Sequence, residues 1–184
     1  MQNYFLETII MQKTYKTNRL IISQVQLTDT EALMAVFEDR QIELLSGLLL
    51  PSNPIQRYMA FQMMCSKPYI YVMRQLASNE LVGVVGFYPC YLRDEMPAID
   101  DREIGYALKK DQWNQGLMTE ACGPLVQDFI ADDPQHTVHA NVLPRNFRSI
   151  RVLQKNGFDV TPAPNYLTVD DDEEKIHLQR GAQK

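Results

Sequence analysis

The fold class predicted for this 184-residue chain is α+β (mixed α/β), with one mixed central sheet flanked by helices. Three observations predict it. The length suits one domain that buries its own core without disulfide or metal staples. Short, β-branched alternating segments interleave with amphipathic ones in the order β-α-α-β-β-β-α-β-α-β-β. No repeat, low-complexity tract or linker-like stretch divides the chain. Residues 1–14 read as an N-terminal extension and residues 15–184 as the folded domain.

Each element has a local reason. In the extension no basic residue precedes Lys13, and Phe5, Leu6, Ile9 and Ile10 are broken by Glu7 and Thr8, which is not a secretory leader. Arg19 to Gln26 alternates as a strand. Thr28 or Asp29 caps a helix that carries Leu33, Met34 and Phe37. Leu44 to Pro54, with Gly47 and two prolines, breaks the pattern. A second helix follows over Ile55 to Cys65, its apolar positions Ile55, Met59 and Met63. Tyr69 to Gln75 and Glu80 to Tyr88 form a hairpin through Ala77-Ser78-Asn79. A polar, acidic loop over Pro89 to Asp101 leads to a strand from Glu103 to Leu108. Met118 to Ile130 is a helix with Met118, Ala121, Cys122, Leu125, Val126, Phe129 and Ile130 on one face, and Pro124 inside it predicts a kink. Thr137 to Val142 is a strand. Asn146 caps a short helix that stops at Gly157. Weak strands close the chain near Phe158 to Thr161 and Lys175 to Gln179.

Composition narrows the partners. A net charge of -5 and a pI near 5.2 argue against nucleic acid, which calls for a basic face. No apolar run approaches the ~20 residues of a membrane span, so no membrane partner is expected. Cys65, Cys90 and Cys122 lack metal or redox spacing and read as reduced thiols of a cytoplasmic protein. His136 and His139 point to opposite faces of a strand and His177 is isolated in sequence, so no metal site is expected.

The stretch from Gln112 to Ala121 carries the chemistry. It is a glycine-bearing loop that turns from a strand into a helix, which aims backbone N–H groups and the positive end of the helix dipole at one point. Such a cradle suits a phosphate or pyrophosphate. Glu103-Ile104-Gly105-Tyr106 followed by Trp113-Asn114-Gln115-Gly116-Leu117-Met118-Thr119-Glu120-Ala121 resembles the acetyl-CoA-binding core of the GCN5-related N-acetyltransferase (GNAT) family. Asn146-Phe147-Arg148-Ser149 and Val152-Leu153-Gln154-Lys155-Asn156-Gly157-Phe158 resemble the family's second CoA segment, and Arg19-Leu20 its first strand. The likeness is closest to the ribosomal-protein N-terminal (Rim-type) branch.

The resemblance implies a GNAT domain with a splayed sheet and acetyl-CoA as cosubstrate. It places the CoA pyrophosphate on the amides of Asn114, Gln115, Gly116, Leu117 and Met118. The pantetheine arm would lie between the strand from Glu103 and the strand at Val138 to Val142, with Asn146 and Ser149 at the thioester end. Two departures stand out: Met118 replaces a small residue, and Leu153 occupies the place of a tyrosine that protonates the departing thiolate. Ser149, Tyr106 or a water would substitute. Glu103 and Glu120 are the candidates for the base that strips the amine; each also has a plain role, as a strand-end charge and as a partner of the helix dipole. The acceptor is a small-molecule or peptide amine, with walls in Leu44 to Ser52 and Tyr88 to Asp101, and carboxylates there and at Asp170 to Glu174 to attract a cation. A homodimer is left open. The alternative is a catalytically silent acyl-CoA-binding sensor or interaction module.

Overall fold

The computed structural model describes residues 13–91, 96–162 and 174–181. Residues 1–12 of the expected extension, Asp94 and Glu95 of the acidic loop, and Asp170 to Glu173 near the tail lie outside the described residues.

The elements run β1 (Tyr15–Lys16), β2 (Leu20–Gln24), α1 (Thr30–Val36), α2 (Arg40–Ser46), α3 (Pro54–Cys65), β3 (Ile70–Gln75), β4 (Leu81–Tyr91), β5 (Pro97–Leu108), α4 (Leu117–Asp132), β6 (Thr137–Val142), α5 (Phe147–Lys155), β7 (Asp159–Val160) and β8 (Ile176–Gly181). The strands form one sheet in the order β1-β2-β3-β4-β5-β6-β8-β7. Only β5 and β6 run parallel; the other described pairs are antiparallel. This is the α+β architecture read from the sequence, a single mixed sheet with five helices among the described residues.

Two cores cover the two faces. Helices α4 and α5 pack Met118, Ala121, Cys122, Leu125 and Leu153 against Leu20, Val85, Ile104, Val138 and Leu178. On the other face α1 to α3 pack Leu33, Val36, Phe37, Ile42 and Phe61 against Ile70, Val72 and Val84. The alternation of β5 and β6 therefore sends Ile104, Val138, Ala140 and Val142 toward α4, and Glu103, His139 and Asn141 the other way.

Sequence and structure differ in three places. α2 replaces part of the expected irregular stretch; Asp39 caps it by accepting from the Gln41 N–H, and Gly47 ends it at φ 70°. Only Ile42 of its seven residues is buried, so it carries no amphipathic stripe to read. β5 begins at Pro97, six residues before the expected start, because it extends the hairpin with β4 past a register shift at Pro89/Cys90. The apolar positions of α3 point outward: Ile55, Met59 and Met63 are exposed while Phe61 and Cys65 are buried. Helix α4 runs from Leu117 to Asp132 with Pro124 inside it; the adjacent Gly123 lies against the Asn156 side chain, where a Cβ would come within 3.4 Å. No helix among the described residues is long and apolar enough to cross a membrane.

Candidate active site

The parallel junction of β5 and β6 makes the site. The two strands pair over Asp101, Arg102 and Glu103 against Thr137, Val138 and His139, and no pairing follows. Beyond that point β5 stays on β4, from Ile104 opposite Phe87 to Leu108 opposite Gly83, while β6 stays on β8 as far as Val142 opposite Ile176. The sheet forks at Glu103. The facing edges, 104–108 and 140–142, present backbone groups that an extended ligand can pair with as a short extra strand.

At the mouth of the fork the chain turns into α4 through two left-handed residues, Asn114 at φ 60° and Gly116 at φ 76°. Gly116 is the N-cap, and no side chain caps the helix. The first-turn amides of Leu117, Met118 and Thr119 therefore face outward with the helix dipole behind them. Asparagine and glycine are the residues that tolerate this turn. Trp113 anchors the loop by donating its indole N–H to the Leu108 carbonyl at 2.8 Å, and Arg148 lies over its ring at 5.2 Å.

Helix α5 closes the other side. Asn146 caps it by accepting from the Ser149 amide at 3.3 Å, and its side-chain amide reaches the Leu45 carbonyl at 3.4 Å. Loop, fork and α5 line a cleft of about 300 Å³ that includes Tyr106, Asn114, Gly116, Asn146 and Ser149. Arg148, Arg151 and Lys155 also line it; three cations on one helix wall are a local reversal of the chain's acidic balance and fit a phosphate-bearing ligand. Inside the cleft the Tyr106 hydroxyl meets Ser149 Oγ at 2.8 Å and donates to the Ser149 carbonyl at 3.1 Å. Burial pushes the Tyr106 phenol up, the thiol of Cys122 adds to it, and the bond with Ser149 opposes it. Leu153 is fully buried in the core under α5.

The two candidate carboxylates occupy different settings. Glu103 sits at the fork on the face opposite α4, accepting from the Asn141 side-chain amide at 3.2 Å. Burial raises its carboxyl above the ordinary value; Asn141, Lys175 and His139 pull it back only in part. Glu120, in the first turn of α4, is a clasp. It accepts from Thr17 Oγ1 at 2.6 Å, from the Arg19 amide at 2.9 Å and from Arg19 Nε at 2.8 Å. Arg19 Nη1 in turn donates to the Gln115 carbonyl at 2.8 Å, inside the cradle loop. Burial by itself would raise Glu120, but the hydrogen bonds from Thr17 and Arg19 outweigh it and hold the carboxyl low.

Of the expected site residues, Asn114, Gly116, Leu117, Met118, Asn146 and Ser149 converge on the cleft; Gln115, Glu103 and Glu120 do not line it, Gln115 and Glu120 being joined through Arg19 and Glu103 lying at the fork. Sequence reasoning missed Thr17, Arg19 and Asn141 as partners of the two carboxylates. It also read His177 as isolated, whereas β8 sets it beside Asn141 and His139. Contacts across 36 to 103 residues leave no local signal. Among the described residues no group of His, Cys, Asp and Glu could hold a metal ion.

A sheet forked beside an uncapped helix start, with cations on one wall and two hydroxyls within, has the shape and charge to fit an extended, phosphate-bearing ligand. The chain belongs to the GNAT family of acetyltransferases: the model of the acetyltransferase (GNAT) domain matches residues 19–159. It is similar to the probable N-acetyltransferase YjcK of Bacillus subtilis (strain 168), 34% identical over 82 residues that make up 45% of this chain and 43% of the relative. It is also similar to the uncharacterized N-acetyltransferase YoaA of the same organism, 25% identical over 151 residues, 78% of this chain and 81% of the relative. The fold matches the crystal structure of ribosomal-protein-S5-alanine acetyltransferase from Vibrio fischeri with a TM-score of 0.70 at 15% identity, covering 91% of this chain and 96% of that one.

Proposed function

We propose that this protein transfers the acetyl group of acetyl-CoA to a primary amine, of a peptide N-terminus or a small molecule, by direct attack within a ternary complex. The observation that carries this reading is the fork. The same three-residue junction that ends β5–β6 pairing sets Glu103 on one face of the sheet and leaves Tyr106, with Ser149, on the other. An amine arriving from the Glu103 side and a thiol departing on the Tyr106 side would meet in the opening between the strands.

The residues divide the work. The amides of Asn114 to Met118 hold the pyrophosphate, as the open helix start permits. Arg148, Arg151 and Lys155 supply charge to the phosphates. The open edges of β5 and β6 pair with the pantetheine amides, and Asn146 and Ser149 border the thioester end. When bound, acetyl-CoA supplies an acyl group activated as a thioester. Glu103, raised by burial, accepts the amine proton directly or through a water. Tyr106, sharing a hydrogen bond with Ser149, delivers a proton toward the sulfur in place of the tyrosine that Leu153 replaces. Glu120 holds the cradle in place through Arg19.

Leu153 favours a second reading, a silent acyl-CoA-binding module, because the hydroxyl expected at its place is absent. Purified protein is given acetyl-CoA and a panel of peptide and small-molecule amines, and free thiol is followed. Acceptor-dependent thiol release supports the transferase. Tight CoA binding by calorimetry with no release from any amine supports the sensor.

A further inference from the structure

Glu103 is the first member of a line of polar side chains that crosses β5, β6 and β8 on the face opposite α4. Asn141 Nδ2 donates to Glu103 Oε1 at 3.2 Å, and Asn141 Oδ1 faces His177 Nδ1 at 3.1 Å. His177 Nε2 faces His139 Nδ1 at 3.2 Å, and His139 Nε2 stands 3.3 Å from Asp101 Oδ1. Both rings are 4% exposed and lie stacked, so water does not freely complete these contacts.

The order of atoms constrains the protons, since each contact needs one hydrogen and one lone pair. With Glu103 ionised, Asn141 must turn its NH₂ to the carboxylate and its oxygen to His177. His177 then carries hydrogen on Nδ1 and a lone pair on Nε2. His139 must donate from Nδ1, yet its Nε2 faces a carboxylate and has to donate as well. Ionised Glu103 therefore fits a doubly protonated His139 beside a neutral His177. With Glu103 protonated, every contact reverses up to His139, and both rings are neutral. The two arrangements hold the same number of protons.

We propose that Glu103, Asn141, His177 and His139 form one coupled unit, in which a second proton on His139, anchored by Asp101, holds Glu103 as the carboxylate that accepts the amine proton. This rests on the reading of Glu103 as the base; Asn141, His177 and His139 are positioning residues. Burial, with His139 adding to it, pushes His177 down to about 4, which keeps it the neutral link. Other ionisable groups border the line. Lys175 precedes β8 and Arg102 adjoins Asp101; on β4, burial pushes the Tyr88 hydroxyl and the Cys90 thiol up to about 12.

The test is long-range ¹H–¹⁵N spectroscopy of the imidazoles in the full chain between pH 5 and 9. At neutral pH His177 is expected as the neutral Nδ1–H ring and His139 as the doubly protonated one. In Glu103→Gln the midpoint of His139 is expected to fall, because the carboxylate that stabilises its second proton is gone. A neutral His139 at pH 7 in the unaltered protein, or an unmoved midpoint in Glu103→Gln, overturns the coupling. Neither readout involves turnover: a shifted midpoint with full turnover would sink the base and leave the coupling standing. His177→Gln cuts the line away from Glu103 and provides the kinetic counterpart. Its acid limb of kcat/KM is expected to move to higher pH, since the Asn141 donor and His139 charge that lower Glu103 are both loosened. A limb that stays put overturns the coupling even where the plateau drops.

Discussion

Glu103 and Glu120 are the two candidate carboxylates, 17 residues apart in sequence, and the chain treats them oppositely. Glu120 is satisfied on both oxygens by Thr17 and Arg19 and is held low. Glu103 has one donor within the described contacts, Asn141, and is held high by burial. A group that is fully bonded in the folded state braces it and has nothing left to offer a substrate. A group that is buried with partial compensation costs stability and keeps reactivity. On the proposed reading, the difference puts the chemistry at the fork and the rigidity at the cradle.

The sharpest way to break that contrast is at the fork. Glu103→Gln keeps the shape and the Asn141 contact and removes the proposed base. Turnover is expected to fall by roughly 10²- to 10³-fold, within the range of general base catalysis, with the CoA dissociation constant unchanged within about twofold. Steady-state thiol release and calorimetry read the two quantities. A large loss of CoA affinity would move Glu103 out of catalysis and into cosubstrate binding. In the unaltered enzyme kcat/KM should climb with pH along a limb lying above the ordinary carboxylate value, as the burial of Glu103 requires.

Tyr106→Phe comes next. It removes the hydroxyl that meets Ser149 and leaves the ring in the core. A loss in kcat of about 10²-fold is expected, at the modest end of acid–base contributions, with little change in KM for the amine. Should Ser149→Ala reproduce the whole effect while Tyr106→Phe does nothing, the proton donor is the serine. At the cradle, Gly116→Ala puts a side chain on a residue at φ 76°, a strain of roughly 1–2 kcal/mol. CoA binding is expected to weaken by about fivefold to tenfold as the turn relaxes, with turnover at saturating CoA retained. Unchanged affinity would show that the cradle amides do not bear the phosphate.

How legible this was in the sequence follows the same division. The cradle, α4 and α5 were readable because their signals are local: a glycine turn, an apolar stripe, an asparagine cap. The fork was not readable from the residues, since it is the place where two strands, paired between residues 36 apart, cease to pair, and only the family resemblance implied it. The clasp on Glu120 and the line through Asn141 and the histidines were invisible for the same reason, their members arriving from the turn between β1 and β2, from β6 and from β8. The outward face of α3 shows the opposite error. Ile55, Met59 and Met63 have helical spacing, yet the sheet takes the neighbouring face with Phe61 and Cys65, and spacing alone cannot tell which face wins.

The smallest expected effect tests the comparison most directly, because the two carboxylates should change stability with opposite sign. Glu120 has a lowered folded value, so it stabilises above the ordinary carboxylate range and loses this as pH falls through that lowered value. Glu103 has a raised value. The folded state favours its protonated form, so its contribution is full at low pH and is lost as pH rises through the raised value. Glu120→Gln should therefore lower Tm near pH 7 by about 2–4 °C, the response of a domain this size to a loss of about 1 kcal/mol, a figure already discounted because the ion pair with Arg19 is partly solvated. Glu103→Gln should raise Tm by up to a similar amount at pH 7 to 8, since it removes a buried charge. Both differences should shrink toward pH 4. Melting curves of the two variants across pH 4 to 8 check this. If Glu103→Gln melts below the unaltered protein at pH 8, the carboxylate is braced like Glu120, and its burial no longer argues for a base.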